Sequence, residues 1–321
     1  MKNKLDLLII GAGPIGIACA LAAQKNKLNY LIVEKGVLVN SLYNYPTNMT
    51  FFSTSEKLEI DEIPFISSNA KPNKKEALEY YRRIVSSNKL NVKLFEKVKT
   101  VKSENDFYSV STNKNEYKAK HIIISTGFYD IPNALKVPGE ELSKVFHYYD
   151  DPHYFSEQDV VIVGASNSAV DAALEIYRKG GRVTMIIRGE GIGDRVKYWV
   201  KPDIVNRIEE GSINVYYNSQ IKEILKNKVI ITTNKGDNIQ LKNDFVIAMT
   251  GYQPNFNFLK NIGIELSNDG LKKPTYNAKT MESNLKGIYL AGVICGGKET
   301  HKWFIENSRI HAKMIIEDIV K

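Results

Sequence analysis

The sequence predicts an α/β protein of two three-layer units, the second inserted within the first. Three observations carry that prediction. A glycine-led strand–turn–helix pattern occurs twice along the chain. Each copy is followed by the same succession of short apolar runs. A length of 321 residues is enough for two separate cores.

The elements can be justified in order. Residues 6–16, DLLIIGAGPIG, match residues 159–169, DVVIVGASNSA: an apolar run, a glycine-led turn, then a helix start. Apolar helical stretches follow at 17–26 and 170–180, and second strands at 29–35 (NYLIVEK) and 182–189 (RVTMIIRG). Further on, NVKLF at 91–95 parallels NVYYN at 214–218. HIIISTGFYDIPN at 121–133 parallels FVIAMTGYQPNFN at 245–257. Alternating runs such as FYSVST and VIITTN lie between and read as small β-meanders. This order predicts two Rossmann-like dinucleotide-binding domains with parallel sheets and helices on both faces. The first copy carries about thirty extra residues at 36–70. The last strand, GIYLAGV at 287–293, and a helix from about 300 to the end are expected to return to the first domain. The expected boundaries are 1–130 with 250–321, and 131–249. The Pro-bearing stretch 129–140 and the turn at 251–254 serve as linkers.

A composition of 43% hydrophobic and 25% charged residues excludes fibrous and disordered classes. The net charge of +8 is spread along the chain, with no run resembling a nucleic-acid-binding arm. A solvated Lys-rich surface is therefore expected, and no nucleic-acid partner. Only two cysteines occur, Cys19 and Cys295, with neither C-x-x-C nor metal-ligand spacing. That pattern points to a reducing cytoplasm and to no structural metal. The uncharged run 7–23, LLIIGAGPIGIACALAA, mimics a leader or membrane span. Its three glycines and one proline fit a buried strand, tight turn and packed helix better, so no membrane partner is expected.

Gly11, Gly13 and Gly16 form G-x-G-x-x-G between strand and helix. In that pattern the first glycine makes the turn, the second admits a pyrophosphate, and the third lets helix pack on strand. Pro14 and Ile15 complete the loop, and helix amides face the phosphates. Glu34, 23 residues after Gly11, is placed to accept from ribose hydroxyls, with Lys35 beside it. The second match, Gly164, Ser166, Asn167, Ser168 and Ala169, is a relaxed form of the same fingerprint. Counting 23 residues from Gly164 gives Ile187, and Arg188 follows. A cation in place of the acid suits a 2′-phosphate, with Arg195 as a second contact; the alternative is that both arginines solvate a loop.

Two fingerprints imply two nucleotides, and the expected pair is FAD with NADPH. Thr126 and Gly127, ending one strand, and Gly292 and Val293, ending another, are expected beside the flavin. A helix starting near Thr300 would point its positive end at the flavin. His301 is a candidate proton donor or a capping or surface residue, and Trp303 and Phe304 are flavin walls or core. Cys295 is either a reactive thiol or a buried filler, and Cys19 is core. No residue is assigned to catalysis.

With these residues in place, the whole chain resembles the pyridine-nucleotide–disulfide oxidoreductases of the low-molecular-weight thioredoxin reductase type. In particular it resembles the bacillithiol disulfide reductase (YpdA-type) family. The most specific match is SLYNYPTNMTFFSTSEKLEIDEIPF at 41–65. VFHYYDDPHYF at 145–155, AMTGYQPNFNFL at 248–259, AGV in place of AGD, and FIEN at 304–307 support it. The resemblance implies a homodimer or larger oligomer of FAD-containing subunits that uses NADPH to reduce a small-thiol disulfide, keeping the cytosolic thiol pool reduced. Two departures bear on mechanism. The C-x-x-C of thioredoxin reductases is absent from 145–158, and Ile15 stands where some relatives of the bacillithiol group have a cysteine. Electrons then pass from reduced flavin directly to a disulfide near Tyr43–Phe52, or Cys295 stands in. Three rivals are an NADPH-dependent reductase of ferredoxin or flavodoxin, a flavin monooxygenase and a flavin sensor without turnover. The basic surface suits the first. The F-x-G-x-x-x-H spacing of the second is not met at Phe146.

Overall fold

The computed structural model describes residues 4–321. Within them the chain divides into two compact units. One takes the chain up to Asn44, Met49–Ile131 and Tyr252–Lys321; the other takes Tyr45–Asn48 and Pro132–Gly251.

The first unit is built on a seven-stranded sheet. Strand Lys4–Ile10 lies between Tyr30–Val33 and Glu116–Ile124, parallel to both, with Ile9 opposite Ile32 and Ile123. Val92–Lys93 extends the sheet beyond Tyr30–Val33, and Ile288–Leu290 joins Glu116–Ile124 in parallel. The beginning of Glu116–Ile124 pairs instead antiparallel with Phe107–Thr112, which pairs with Val98–Glu104. Leu7, Leu8 and Ile9 are fully buried, as a continuous apolar run in a parallel sheet requires. Burial of each such side chain contributes on the order of 1.5–3 kcal/mol. Helix Pro14–Lys25 begins with Pro at its first turn and stops at Asn26, whose side chain donates to the Ala22 carbonyl. Helix Ile310–Ile319 packs against it, so the C-terminal segment belongs to this unit.

That terminal segment corrects one expectation. No helix starts near Thr300; residues 300–304 form a turn, and helical structure begins with Ile305–Ser308 and continues as Ile310–Ile319. The cause is Asn307, whose Oδ1 accepts from the Phe304 amide at 2.6 Å while its Nδ2 donates to the Lys302 carbonyl. Those bonds fold the backbone back before the helix can start.

The extra segment is ordered by aromatic side chains of helix Lys74–Ser87, which opens with an Asn73–Glu76 capping box. The Tyr80 hydroxyl accepts from the Ile60 amide and donates to the Ile63 carbonyl, and Tyr81 donates to Leu58. Phe65 stacks on Tyr80 with centroids 4.2 Å apart. Arg309 donates to the Glu59 carbonyl at 2.5 Å, tying the segment to the C-terminal helices.

The second unit repeats the plan. Its parallel sheet runs Asn214–Tyr216, Arg182–Ile186, Asp159–Val163, Phe245–Ala248 and Val145–Phe146. Alternate residues face opposite layers. Val160, Ile162 and Met185 pack with Val170 and Leu174 of helix Asn167–Arg178 and Ile204 of helix Lys201–Glu209. Val161, Val163, Ile186 and Val246 pack against Ile221, Ile224, Val229 and Ile231. That second layer is the antiparallel meander Gln220–Leu225, Lys228–Thr232 and Asn238–Lys242, so the helices expected on this face are replaced by a sheet. The meander's own alternation leaves one apolar face, which only a second apolar face can cover.

Candidate functional site

In the first unit the chain leaves Lys4–Ile10 through Gly11, which takes φ +108, a region closed to most side chains. A Cβ at Gly16 would lie 2.0 Å from the Gly11 carbonyl oxygen, so helix and turn touch there as no other residue allows. Gly13 and Pro14 are partly exposed, Ile15 is buried, and a Cβ at Gly13 would meet nothing within 4 Å. The helix has no side-chain cap and no acid in its first turn. Its leading amides and positive dipole end therefore face open space, a setting suited to an anion.

Glu34 lies beneath this turn, 6% exposed. Its Oε2 accepts from the Ala12 amide at 2.8 Å and its Oε1 from the Gly36 amide at 2.9 Å. Burial pushes its pKa up, while the two amides pull it down. Both oxygens keep lone pairs for a further donor such as a ribose hydroxyl. Lys35 is ion-paired with Asp130 at 2.5 Å. Ser125 donates to the Ile10 and Gly11 carbonyls, while the buried Oγ1 of its neighbour Thr126 has no partner among the described residues. Gly127 follows with φ +71. An uncapped helix start, open space at Gly13 and an orphaned buried hydroxyl are what a dinucleotide would complete. The residues present fit FAD.

Gly292 lies against Ile15: a Cβ on it would come 3.3 Å from the Ile15 side chain. Its amide donates to Nδ1 of His311 at 3.1 Å. His311 is buried, and burial pulls its pKa down to about 4, so the ring is neutral and can accept. Trp303 meets that ring edge-on at 4.6 Å. Val293 follows, half-buried. His301 is exposed in the turn that precedes helix Ile305–Ser308, and Phe304 is half exposed. Cys19 and Cys295 are both buried; burial pushes the Cys19 thiol up to about 12 and the Cys295 thiol up as well. Neither is a thiolate at neutral pH. Tyr43 and Phe52 are exposed, with Lys74 and Lys71 over their respective rings.

The second unit presents a matching turn. Gly164 takes φ +136, Ser166 occupies the N-cap without capping through its side chain, and Ala169 is buried where the first copy has Gly16. Ser166 and Ser168 are exposed at the helix start, which again has no acid in its first turn. Arg188 and Arg195 are exposed, and neither makes an ion pair among the described residues. The loop between them rests on the turn: the Gly193 amide donates to the Ala165 carbonyl at 2.9 Å. Two free guanidinium groups beside an uncapped helix start suit a nucleotide bearing an extra phosphate, so the residues fit NADPH.

Both glycine turns lie where the sequence predicts them, and Arg188 and Arg195 are exposed on one loop beside the second. Sequence reasoning missed His311, a lone histidine on the C-terminal helix with no motif around it. It also missed the side-chain bonds of Asn167 to the arginine loop.

Comparison with known proteins agrees with this geometry. The pyridine nucleotide-disulphide oxidoreductase family model matches residues 8–292. The chain is 42% identical over 315 residues to bacilliredoxin reductase Bdr of Bacillus subtilis, covering 98% of this chain and 97% of that protein. It superposes on the solved structure of bacillithiol disulfide reductase Bdr (YpdA) from Bacillus cereus with a TM-score of 0.96 and 42% identity, covering 98% of both chains. The corresponding enzyme from Staphylococcus aureus gives a TM-score of 0.96 at 39% identity, covering 99% of this chain and 98% of that one. Two glycine turns on paired parallel sheets, matched along nearly the full length, place this chain in the family of pyridine nucleotide-disulphide oxidoreductases.

Proposed function

We propose that this chain is an FAD-dependent oxidoreductase that uses NADPH to reduce the disulfide of a low-molecular-weight thiol, bacillithiol disulfide. It works in the cytoplasm as a homodimer or larger homo-oligomer. The observation that carries this reading is the 42% identity to bacilliredoxin reductase over nearly all of both chains.

The first unit takes FAD and the second NADPH. Amides at Ile15 and Gly16 face the FAD pyrophosphate across Gly11, Gly13 and Pro14. Glu34 accepts from a ribose hydroxyl, and Thr126 Oγ1 gains the partner it lacks. Lys35, Gly127, Gly292 and Val293 border the remainder. In the second unit Gly164, Ser166, Asn167, Ser168 and Ala169 present backbone to the NADPH phosphates, and Arg188 and Arg195 bind the 2′-phosphate. Bound together, the two cofactors supply a two-electron path from a reduced nicotinamide to a disulfide. The chain supplies no thiol relay: it has no C-x-x-C, and Cys19 and Cys295 are buried in protonated form.

The test is anaerobic steady-state NADPH oxidation with bacillithiol disulfide or with ferredoxin as acceptor. A higher kcat/KM for the disulfide supports the reading. A higher value for ferredoxin moves the chain to the carrier-reductase class.

A further inference from the structure

The loop carrying Arg188 and Arg195 is fastened at both ends, in different ways. Near Arg188 the fastening is backbone to backbone. The Ile187 amide donates to the Tyr216 carbonyl at 3.0 Å, and the Gly189 carbonyl accepts from the Asn218 amide at 2.9 Å. These bonds continue the sheet and hold with any side chain. Near Arg195 a backbone bond holds the loop two residues earlier, from the Gly193 amide to the Ala165 carbonyl, and a single side chain holds Arg195 itself. Asn167, the first residue of helix Asn167–Arg178, donates from Nδ2 to the Arg195 carbonyl at 3.0 Å and accepts at Oδ1 from the Lys197 amide at 2.8 Å. Lys197 is itself buried and ion-paired with Asp171, one turn along the same helix, at 2.6 Å.

We propose that Asn167 is a positioning residue for nicotinamide-cofactor selectivity, holding Arg195 against the 2′-phosphate without touching that phosphate through its own side chain. The chemistry is specific to asparagine. One amide group must give a donor to a carbonyl and an acceptor to an N–H two residues on, and both capacities of Asn167 are used. Aspartate keeps the acceptor but sets a carboxylate oxygen against the Arg195 carbonyl. Alanine loses both bonds. The Gly193–Ala165 bond and the Lys197–Asp171 pair fix the loop on either side, so loss of Asn167 frees chiefly Arg195 between them. The Arg195 guanidinium has no partner among the described residues, so its backbone, which Asn167 holds, sets where it can reach.

This inference rests on the reading that Arg195 meets the 2′-phosphate, and the test separates the two. Binding of NADP⁺ and NAD⁺ to the FAD-loaded enzyme is measured by calorimetry for Asn167→Ala, Asn167→Asp, Arg195→Ala and the double variant Asn167→Ala/Arg195→Ala. Thermal melts and flavin content confirm that each is folded, and Asn167→Asp serves if the alanine variant does not fold. The expected result is NADP⁺ affinity weakened about tenfold by each single change, NAD⁺ affinity unchanged, and the double variant no weaker than Arg195→Ala alone. Loss of NADP⁺ and NAD⁺ affinity in equal measure at Asn167 overturns the proposal, as does strict additivity of the two changes. An effect of Arg195→Ala with none at Asn167 overturns it while leaving the 2′-phosphate reading intact. No effect of Arg195→Ala overturns both.

Discussion

His311 Nδ1 accepts a hydrogen bond from the Gly292 amide at 3.1 Å, so a buried neutral imidazole on the C-terminal helix fixes the backbone at the end of strand Ile288–Leu290. Protonation would put N–H against N–H and break that contact. Burial lowers the pKa of His311 from 6.5 to about 4. In the unfolded chain the ring takes its proton near 6.5, so between about 6.5 and 4 the unfolded state binds more protons than the folded one. The stability this residue protects is intact above pH 6.5 and is lost as pH falls to 4, by roughly 3 kcal/mol. His311→Gln, which keeps an acceptor but does not titrate, should lose less stability over that range. Denaturant melts at stepped pH check this; identical slopes for both proteins would contradict it.

Arg188→Ala should raise the KM for NADPH roughly tenfold to a hundredfold, the loss of one charge-assisted contact. The KM for NADH should hardly move. Initial rates with each cofactor decide the matter, and equal increases would remove Arg188 from the 2′-phosphate.

Glu34→Gln should weaken FAD retention. Each Glu34 oxygen accepts from a backbone amide, and glutamine offers one acceptor with an NH₂ facing the other amide. An unsatisfied buried N–H costs about 1–3 kcal/mol. The flavin-to-protein absorbance ratio after gel filtration should fall; an unchanged ratio would show that Glu34 is not coupled to the cofactor.

Cys19→Ala and Cys295→Ala should leave NADPH-dependent disulfide reduction nearly unchanged, because both thiols are buried and held protonated. An alkylating agent should label neither in the native enzyme and both after unfolding. Loss of turnover in Cys295→Ala alone would make that thiol a relay.

Much of this was legible in the sequence because the glycine turns are local. A tight turn between strand and helix needs Gly11 wherever it occurs, and the apolar runs beside it report burial on both faces. The internal match at 6–16 and 159–169 carried the fold for the same reason. What was not legible depends on contacts distant in sequence. His311 meets Gly292 across 19 residues, and Asn167 meets Lys197 across 30. The helix expected at Thr300 failed because Asn307, a side chain four residues beyond the expected first turn, captures the Phe304 amide. The meander covering the second sheet was visible as alternating strands, yet alternation alone does not say which face it will cover.

The central claim is that electrons reach a small disulfide from the flavin without a protein dithiol. Its most direct test is the Cys19→Ala/Cys295→Ala protein, FAD-loaded, reduced anaerobically with NADPH and then mixed with bacillithiol disulfide in a stopped-flow cell. The account predicts rapid return of the oxidised flavin band, at a rate close to that of the parent protein. A flavin that stays reduced in the cysteine-free protein but recovers in the parent would contradict it.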